Sequence, residues 1–167
     1  MTNPYRIITV CTGNICRSPM AEFMLARAAD DAGLDVVVDS AGTSSWEVGN
    51  PMDPRAMEVL ARHGIIPSHH EARTFNVQWF AERDLILALD VDHFEALQAL
   101  APTPETAAKV HMLRAFDPAV AGARRGEQGI YDPWYGDKND FVASWELISA
   151  AIPGILAHAT AHGNARG

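Results

Sequence analysis

The chain has 167 residues, of which 48% are hydrophobic and 20% charged, and a formal net charge of −8. This composition fits a soluble globular protein that is long enough for one domain with a sizeable core. The acidic balance argues against broad binding to nucleic acid or to anionic membranes, because basic surfaces attract those partners.

Neither export nor membrane insertion is indicated. The opening residues, MTNPYRIITV, lack the basic start and long apolar run of a secretory signal. No apolar stretch approaches the roughly 18 residues of a membrane span, and two cysteines are too few for a disulfide scaffold. We therefore expect a cytoplasmic protein without nucleic-acid or membrane partners, with export by a signal-independent route left open.

Strands and helices alternate along the chain. Apolar, β-branched runs predict buried strands at residues 6–10, 35–42, 84–89 and 109–113. Apolar residues at helical spacing predict helices at about 19–33, 53–64, 75–82, 90–100 and 139–160. Ser18 is the expected N-cap of the first helix, and Pro153 should kink or split the last.

This alternation predicts an α/β fold with a parallel sheet. No repeat or linker is visible, so we expect a single domain over residues 1–167, with a frayed tail at about 161–167. Residues 117–136 form a long irregular stretch, which is usually functional or mobile. Ligands of parallel sheets bind at the carboxyl ends of strands, and Cys11 follows the first predicted strand.

Residues 11–18, CTGNICRS, join that strand to the first helix and are called the Cys11 loop below. Unpaired backbone N–H groups and the helix dipole favour an anion at such a junction. Gly13 and Asn14 tolerate the left-handed backbone angles that turn N–H groups inward. Arg17 carries a planar fork that suits two phosphate oxygens. The loop is therefore predicted to cradle an oxyanion.

The same surroundings suit Cys11 to nucleophilic attack. A cysteine at a helix N-terminus near an arginine is readily deprotonated, and a thiolate below a bound phosphate ester can attack phosphorus. Ser18 can donate a hydrogen bond to this sulfur, in competition with its capping role. The pattern Cys-x5-Arg-Ser after a strand thus favours a nucleophile over a small core cysteine. The loop has no CxxC and no nearby histidines at zinc-like spacing, so no metal site is predicted.

Transfer of phosphate from an ester to sulfur requires an acid for the leaving oxygen. Asp132, in YDPWYGD, lies on the irregular stretch, where Trp134 and Tyr135 offer aromatic walls. Spacing alone does not select Asp132 over Asp137 or Asp140, which suit helix capping and solvent equally well.

Six motifs follow one another along the chain in this order: VCTGNICRSPMAE, VDSAGT, W-x-x-G, HGI, H-x-A-R and DPWYGD. Over about residues 5–160 the chain resembles the low-molecular-weight protein tyrosine phosphatases, and bacterial members most. The resemblance implies a three-layer, flavodoxin-like fold with four parallel strands and helices on both faces. It also implies hydrolysis of phosphotyrosine in proteins, and of small aryl phosphates, through a phosphocysteine intermediate. No metal or other cofactor is implied.

The resemblance assigns a role to each matching residue. Cys11 would be the nucleophile, Ser18 would assist its thiolate, and Asp132 would protonate the tyrosine oxygen and then activate water. Phosphate would be held by Thr12, Gly13, Asn14, Ile15, Cys16, Arg17 and Ser18. The loop would be supported by Asn14, Ser40 and His70. The phosphotyrosine slot would be lined by Ile15, Trp46, Trp134 and Tyr135.

Three segments depart from the family pattern or leave a choice. In SHHEAR the H-x-A-R register selects His70 and leaves His69 as an exposed neighbour. ALDVDH ends in His93 where the family's M-D-x-x-N pattern has Asn, and we expect this change not to affect the chemistry. GARRGEQG, with Arg124 and Arg125, is either a solvated loop or an aid in selecting an acidic substrate.

Three other functions are alternatives to phosphotyrosine hydrolysis. Arsenate reductases of this fold relay oxidation through further cysteines, whereas both cysteines of this chain lie in the Cys11 loop. Protein-arginine phosphatases carry Thr where Ile15 stands. A non-catalytic phosphotyrosine-binding module would not need Cys11, Arg17 and Asp132 together.

Cys16 has two interpretations: it forms a reversible disulfide with Cys11 under oxidation, or it packs behind the loop.

Overall fold

The computed structural model describes residues 3–164, and within them four parallel strands form one sheet. The strands are β1 (Tyr5–Cys11), β2 (Val36–Gly42), β3 (Leu85–Ala88) and β4 (Val110–Met112). Their spatial order is β2-β1-β3-β4, and each pairing is parallel. The predicted α/β fold with a four-stranded parallel sheet is confirmed.

Helices connect and cover these strands. They are α1 (Arg17–Asp31), α2 (Pro54–Arg62), α3 (Trp79–Glu82), α4 (Val91–Leu100), α5 (Pro104–Ala107) and α6 (Lys138–Asn164). Short 3-10 turns occupy Leu113–Phe116, Arg125–Glu127 and Pro133–Tyr135. The last two lie in the predicted irregular stretch, which therefore folds into turns rather than into a longer element.

The core has two halves, one on each face of the sheet. Side chains alternate along a strand, so Ile7 packs into the cluster beneath α1, α2 and α6. Its neighbour Ile8 packs instead against Phe80 of α3 and Leu97 of α4. Helices therefore cover both faces, as the three-layer prediction requires.

The first helix begins earlier than predicted, and the capping role expected of Ser18 is wrong. The helix starts at Arg17, with Cys16 at the N-cap position and no side chain capping it. The Ser18 hydroxyl lies instead beside Cys11 and Asn14. Because the Cys16 side chain does not cap them, the first N–H groups of α1 remain available to an anion.

The last helix is longer than predicted. It continues to Asn164, so residues 161–164 of the predicted tail are helical, while residues 165–167 lie outside the described part of the chain. Pro153 lies within the helix and does not split it. Next to Pro153 the helix lies very close to Phe116, since a Cβ at Gly154 would be 2.3 Å from the Phe116 carbonyl oxygen.

Within residues 3–164, one helix is long and apolar enough to cross a membrane. It spans Lys138–Gly163 and contains an 18-residue window of mean hydropathy 1.3. A core helix of a globular protein meets the same criterion, and here Phe141 and Ile155 are fully buried in the core. The finding is therefore weak evidence for a membrane span.

Candidate active site

The Cys11 loop leaves β1 at the carboxyl edge of the sheet and turns back into α1. Asn14 has a φ of 59°, in the left-handed region that Asn enters more easily than most residues. The Thr43 N–H donates to the Cys11 carbonyl at 2.9 Å. A Cβ at Gly42 would lie 2.4 Å from the Thr12 carbonyl oxygen, so only glycine allows the loop to lie this close to β2.

The Cys11 thiol lies beside a hydroxyl. Cys11 Sγ is 3.0 Å from Ser18 Oγ, and both residues are buried. Ser18 Oγ accepts a hydrogen bond from Asn14 Nδ2 at 2.9 Å and lies 3.2 Å from the Ala41 carbonyl oxygen. Its single proton goes either to that carbonyl or to the sulfur, and a thiolate is the stronger acceptor. Ser18 is thus placed to stabilise Cys11 as an anion.

Asn14 is the centre of a buried hydrogen-bond network. Its Nδ2 donates to Ser18 Oγ and to Ser40 Oγ, each at 2.9 Å. Its Oδ1 accepts the backbone N–H of Arg73 at 3.0 Å, and its carbonyl accepts from His70 Nε2 at 2.7 Å. The structure therefore brings the three predicted supporting residues together around the left-handed turn.

Two ionisable groups terminate this network. Ser40 Oγ donates to Glu22 Oε1 at 2.6 Å, and burial raises the pKa of Glu22 to about 7. Burial also lowers the pKa of His70, so its ring is neutral near pH 7 and donates through Nε2. His69 is exposed and lies 3.5 Å from Glu71, away from the loop contact that His70 makes.

Arg17 is 4% exposed and holds one side of its guanidinium against the protein. Nη1 donates to the Ile130 carbonyl at 2.9 Å and lies 3.8 Å from Asp90 Oδ2. Nη2 is 3.4 Å from both Thr12 Oγ1 and Asp132 Oδ2. Nε is buried and has no hydrogen-bond partner among residues 3–164. The Nε–Nη2 edge therefore remains as a planar donor pair for two oxygens of an anion.

A cleft of about 180 Å³ opens above the loop. All four predicted slot residues line it: Ile15, Trp46, Trp134 and Tyr135. Trp46 and Tyr135 are largely exposed at the mouth, and the Trp134 and Tyr135 rings meet edge to face with centroids 5.1 Å apart. Glu47 also lines the cleft and was not predicted. Apolar walls above an anion-binding floor suit a phosphorylated aromatic ring.

The three candidate acids occupy different places. Asp132 lines the cleft, with Oδ2 close to Arg17 and Oδ1 accepting the backbone N–H of Trp134 at 3.1 Å. Asp137 and Asp140 lie at the start of α6, where the Asp137 N–H donates to Asp140 Oδ2 at 2.8 Å. Of the three, only Asp132 is among the residues that line the cleft.

Arg55 ties the aromatic wall to α2, a role that the sequence did not reveal. Its Nη1 donates to the Gly136 carbonyl at 3.1 Å and its Nη2 to the Trp134 carbonyl at 3.4 Å. Nη2 also lies 2.9 Å from Asp53 Oδ2. Burial would raise the pKa of Asp53, but the hydrogen bonds from Arg55 outweigh it and hold that pKa low. The predicted helix start at Asp53 could have indicated this role, because it places Arg55 in the first turn of α2.

Cys16 lies behind the loop and remains a thiol. Its Sγ donates to Asp53 Oδ2 at 3.8 Å. Burial raises the pKa of Cys16 strongly, and the nearby charges of Asp53 and Cys11 raise it further. Both cysteines are free and buried. Cys16 is therefore protonated at neutral pH.

His93 contacts the loop, although the sequence predicted no part for it. His93 Nε2 lies 2.8 Å from Thr12 Oγ1, and Nδ1 accepts the backbone N–H of Asp90 at 3.0 Å. The ring is buried, which lowers its pKa to about 3, and the charge of Arg17 adds to this effect. The spacing Asp-x-x-His after β3 could have indicated this contact. Because β3 pairs with β1, a capping box that begins just after β3 places its histidine beside the Cys11 loop.

The two arginines of GARRGEQG lie elsewhere. Arg124 is 92% exposed, with its guanidinium 3.8 Å from Glu127 Oε1. The Arg125 guanidinium lies 3.9 Å above the centre of the Phe94 ring on α4. Neither arginine lines the cleft.

Known proteins share this fold. The model of a family described as low molecular weight phosphotyrosine protein phosphatase matches residues 6–164. A low molecular weight protein-tyrosine-phosphatase of Streptomyces coelicolor is 50% identical over 155 residues, which cover 92% of each chain. The crystal structure of YfkJ from Bacillus subtilis matches with a TM-score of 0.85 at 29% identity, covering 96% of this chain and 97% of that one.

DARP, an arginine phosphatase of Drosophila, matches with a TM-score of 0.81 at 31% identity, covering 91% of this chain and 96% of its own. The fold therefore occurs in a protein named for a different substrate class. The family match covers nearly the whole chain, including the cleft, and the Streptomyces relative is a tyrosine phosphatase by name. The chain therefore belongs to the low molecular weight protein-tyrosine-phosphatase family.

Proposed function

We propose that the chain removes phosphate from phosphotyrosine in proteins, and from small aryl phosphates, through a phosphocysteine intermediate on Cys11. One observation carries this proposal. Cys11 Sγ lies 3.0 Å from Ser18 Oγ at the base of a cleft that Arg17 and Asp132 also line. A nucleophile, a donor for its thiolate, an anion fork and an acid thus converge on one small volume.

The first step forms a phosphorus–sulfur bond. The loop amides from Thr12 to Ser18 and the Nε–Nη2 edge of Arg17 hold the phosphate, and the Cys11 thiolate attacks phosphorus. The bond from phosphorus to the tyrosine oxygen breaks, and Asp132 gives its proton to that oxygen. The amides and Arg17 also stabilise the charge that develops on the phosphate oxygens.

The second step releases phosphate. Asp132, now a carboxylate, takes a proton from water as that water attacks phosphorus. The phosphorus–sulfur bond breaks, and Ser18 donates to the departing Cys11 thiolate. The enzyme thereby returns to its starting state with the proton back on Asp132.

The walls of the cleft support an aryl substrate. Ile15, Trp46, Trp134 and Tyr135 present apolar and aromatic surface that buries a flat ring well. The similarity to an arginine phosphatase makes phosphoarginine the substrate to test against phosphotyrosine. We expect kcat/KM for phosphotyrosine peptides to exceed that for phosphoarginine peptides of the same sequence. A preference for phosphoarginine would reverse this assignment of substrate.

Loss of the nucleophile tests the mechanism directly. Cys11→Ser should abolish hydrolysis of p-nitrophenyl phosphate while still binding inorganic phosphate, because the amides and Arg17 stay in place. Arg17→Lys should reduce kcat/KM by at least about a hundredfold, since an ammonium cannot donate two parallel hydrogen bonds. Turnover that persists in Cys11→Ser at the level of the parent protein would exclude phosphocysteine.

The acid is tested by varying the leaving group. Asp132→Asn should slow hydrolysis of phosphotyrosine, whose leaving oxygen needs a proton, more than hydrolysis of p-nitrophenyl phosphate, whose leaving group does not. Asp137→Asn is the matched control, because Asn preserves capping of α6 and position 137 lies outside the cleft. Equal losses on both substrates in Asp132→Asn would assign the acid role to another group.

We further infer that Cys16 protects Cys11 from irreversible oxidation. The thiolate of Cys11 reduces a peroxide and becomes a sulfenic acid, and the Cys16 sulfur displaces water to form a disulfide. The position of both sulfurs on one short loop supports this step. Peroxide followed by reductant should restore activity in the parent but less of it in Cys16→Ala. Equal recovery would leave Cys16 as a packing residue.

The remaining expectations belong to the same proposal. Phosphoproteins are the substrates that the family implies, with no nucleic-acid or membrane partner and a cytoplasmic location. The family match over residues 6–164 supports one phosphatase domain over residues 1–167. A pull-down with the Cys11→Ser or Asp132→Asn protein from the native cell should recover tyrosine-phosphorylated proteins. Recovery of proteins that lack phosphotyrosine would contradict the assigned substrate class.

A further inference from the structure

We propose that His93 is a positioning residue of the phosphate site: it orients the Thr12 hydroxyl, whose proton then becomes an additional donor to the bound phosphate. The inference rests on the proposed function of the Cys11 loop. It assigns a task to a histidine that lies outside the loop, at the position where the family's M-D-x-x-N pattern has Asn.

The hydrogen bonds of the ring determine which nitrogen carries the proton. A backbone N–H is always a donor, so the bond from the Asp90 N–H to His93 Nδ1, at 3.0 Å, requires a lone pair on Nδ1. The proton of a neutral ring must then sit on Nε2. The 2.8 Å contact with Thr12 is therefore a donation from His93 Nε2 to Thr12 Oγ1.

The surroundings keep the ring neutral. His93 is 2% exposed, and the charged groups near it are Arg17 and Asp90. A protonated ring would direct an Nδ1–H at the Asp90 N–H, placing two donors against each other. Burial and the Arg17 charge both oppose that form and lower the pKa of His93 to about 3. The orientation of the ring is thus the same across the pH range in which a phosphatase works.

The fixed orientation of the His93 ring determines how the Thr12 hydroxyl can bond. Its Oγ1 accepts from His93 Nε2 and lies 3.4 Å from Arg17 Nη2, a second donor. Two donors occupy the two lone pairs of a hydroxyl, which leaves its own proton to donate. Thr12 lines the cleft beside Cys11 and Arg17. The acceptor that this position offers is an oxygen of the phosphate that Arg17 holds.

The substitution His93→Asn separates two roles of His93. An Asn side chain places its amide oxygen where Nδ1 stands and has no atom equivalent to Nε2. His93→Asn therefore keeps the bond to the Asp90 N–H that caps α4 and removes only the bond to Thr12. Thr12→Val removes the same bond from the other side, and Thr12→Ser preserves the hydroxyl.

The test measures the inhibition constant of inorganic phosphate, together with kcat and KM for p-nitrophenyl phosphate. We expect His93→Asn and Thr12→Val each to weaken phosphate binding by about five- to tenfold, the usual effect of one lost hydrogen bond. The double variant should lose no more than the larger single loss, because both substitutions remove one interaction. Thr12→Ser should bind phosphate within twofold of the parent. Urea unfolding of His93→Asn should remain cooperative, with a midpoint below that of the parent because a buried hydrogen bond is lost.

Several results would overturn the role of His93. One is a parental phosphate inhibition constant in His93→Asn, and another is losses that multiply in the double variant. If His93→Asn does not fold, Thr12→Val alone decides, since Thr12 is only half-buried, and unchanged phosphate binding there refutes the proposal. The control is Cys11→Ser: turnover in that variant refutes the phosphocysteine mechanism, whereas its loss together with parental binding in His93→Asn refutes His93 alone.

Discussion

Asn14 offers the strongest test of how the Cys11 loop is held. The residue is fully buried, sits at a φ of 59°, and uses its whole side chain. Two hydrogen bonds run from Nδ2 to Ser18 and Ser40, and a third runs from the Arg73 N–H to Oδ1. Asn14→Ala removes all three and places Ala in the left-handed region.

The magnitude follows from these contacts. Each lost hydrogen bond between neutral groups lowers the free energy of unfolding by about 1 kcal/mol, which gives about 3 kcal/mol for three. Ala in the left-handed region costs about 1 kcal/mol more. We therefore expect Asn14→Ala to be destabilised by about 4 kcal/mol. Asn14→Gly loses the same bonds without the backbone strain, and should lie about 1 kcal/mol above Asn14→Ala in stability.

Urea unfolding followed by intrinsic fluorescence measures these differences, and p-nitrophenyl phosphate reports on the loop. Both variants should lose at least about tenfold in kcat/KM, because Ser18 and the loop amides lose their support. Asn50→Ala is the matched control: its Nδ2 donates to Glu47 at an exposed site, where loss should cost under about 0.5 kcal/mol. A loss below about 1 kcal/mol in Asn14→Ala, or greater stability of Ala than Gly, would refute this reasoning.

Three further predictions concern neighbouring groups. Ser18→Ala should reduce kcat/KM for p-nitrophenyl phosphate by roughly ten- to a hundredfold, because the Cys11 sulfur loses its donor; a parental kcat/KM contradicts this. The pKa of Glu22 is raised to about 7, so its contribution to stability is full below about pH 4.5 and is lost as pH rises through 7. In urea unfolding, Glu22→Gln should therefore stabilise the protein at pH 8 by up to roughly 3 kcal/mol and leave it unchanged at pH 4.5. Arg55→Met should raise KM for aryl phosphates about threefold or more by releasing the aromatic wall, whereas a parental KM would deny Arg55 that role.

The local motifs were predictable because their physics is local. A β-branched run, a Gly-Asn pair and an alanine-rich helix dictate a strand, a left-handed turn and a helix N-terminus within about 25 residues. That succession sets Cys11 and Arg17 at the two ends of one loop that precedes a helix N-terminus. The alternation of such units also sufficed to predict the parallel sheet.

Ser18 shows where local patterns mislead. A serine just before a proline at a helix start matches a capping pattern. Its hydroxyl instead contacts Cys11 and Asn14, and the helix begins one residue earlier, so Ser18 lies within the first turn rather than at the N-cap. The choice between two hydrogen bonds of similar strength depends on burial, which the local sequence does not specify.

What the sequence determined by itself is the anion-binding loop, its nucleophile and the class of fold, since each follows from neighbouring residues. Tertiary packing selects the aspartate that lines the cleft and the distant side chains that hold the loop. Arg17 bonds to the Ile130 carbonyl across 113 positions, and His93 reaches Thr12 across 81. Such contacts arise where separate strands end at one edge of the sheet, and their geometry is set by packing rather than by spacing along the chain.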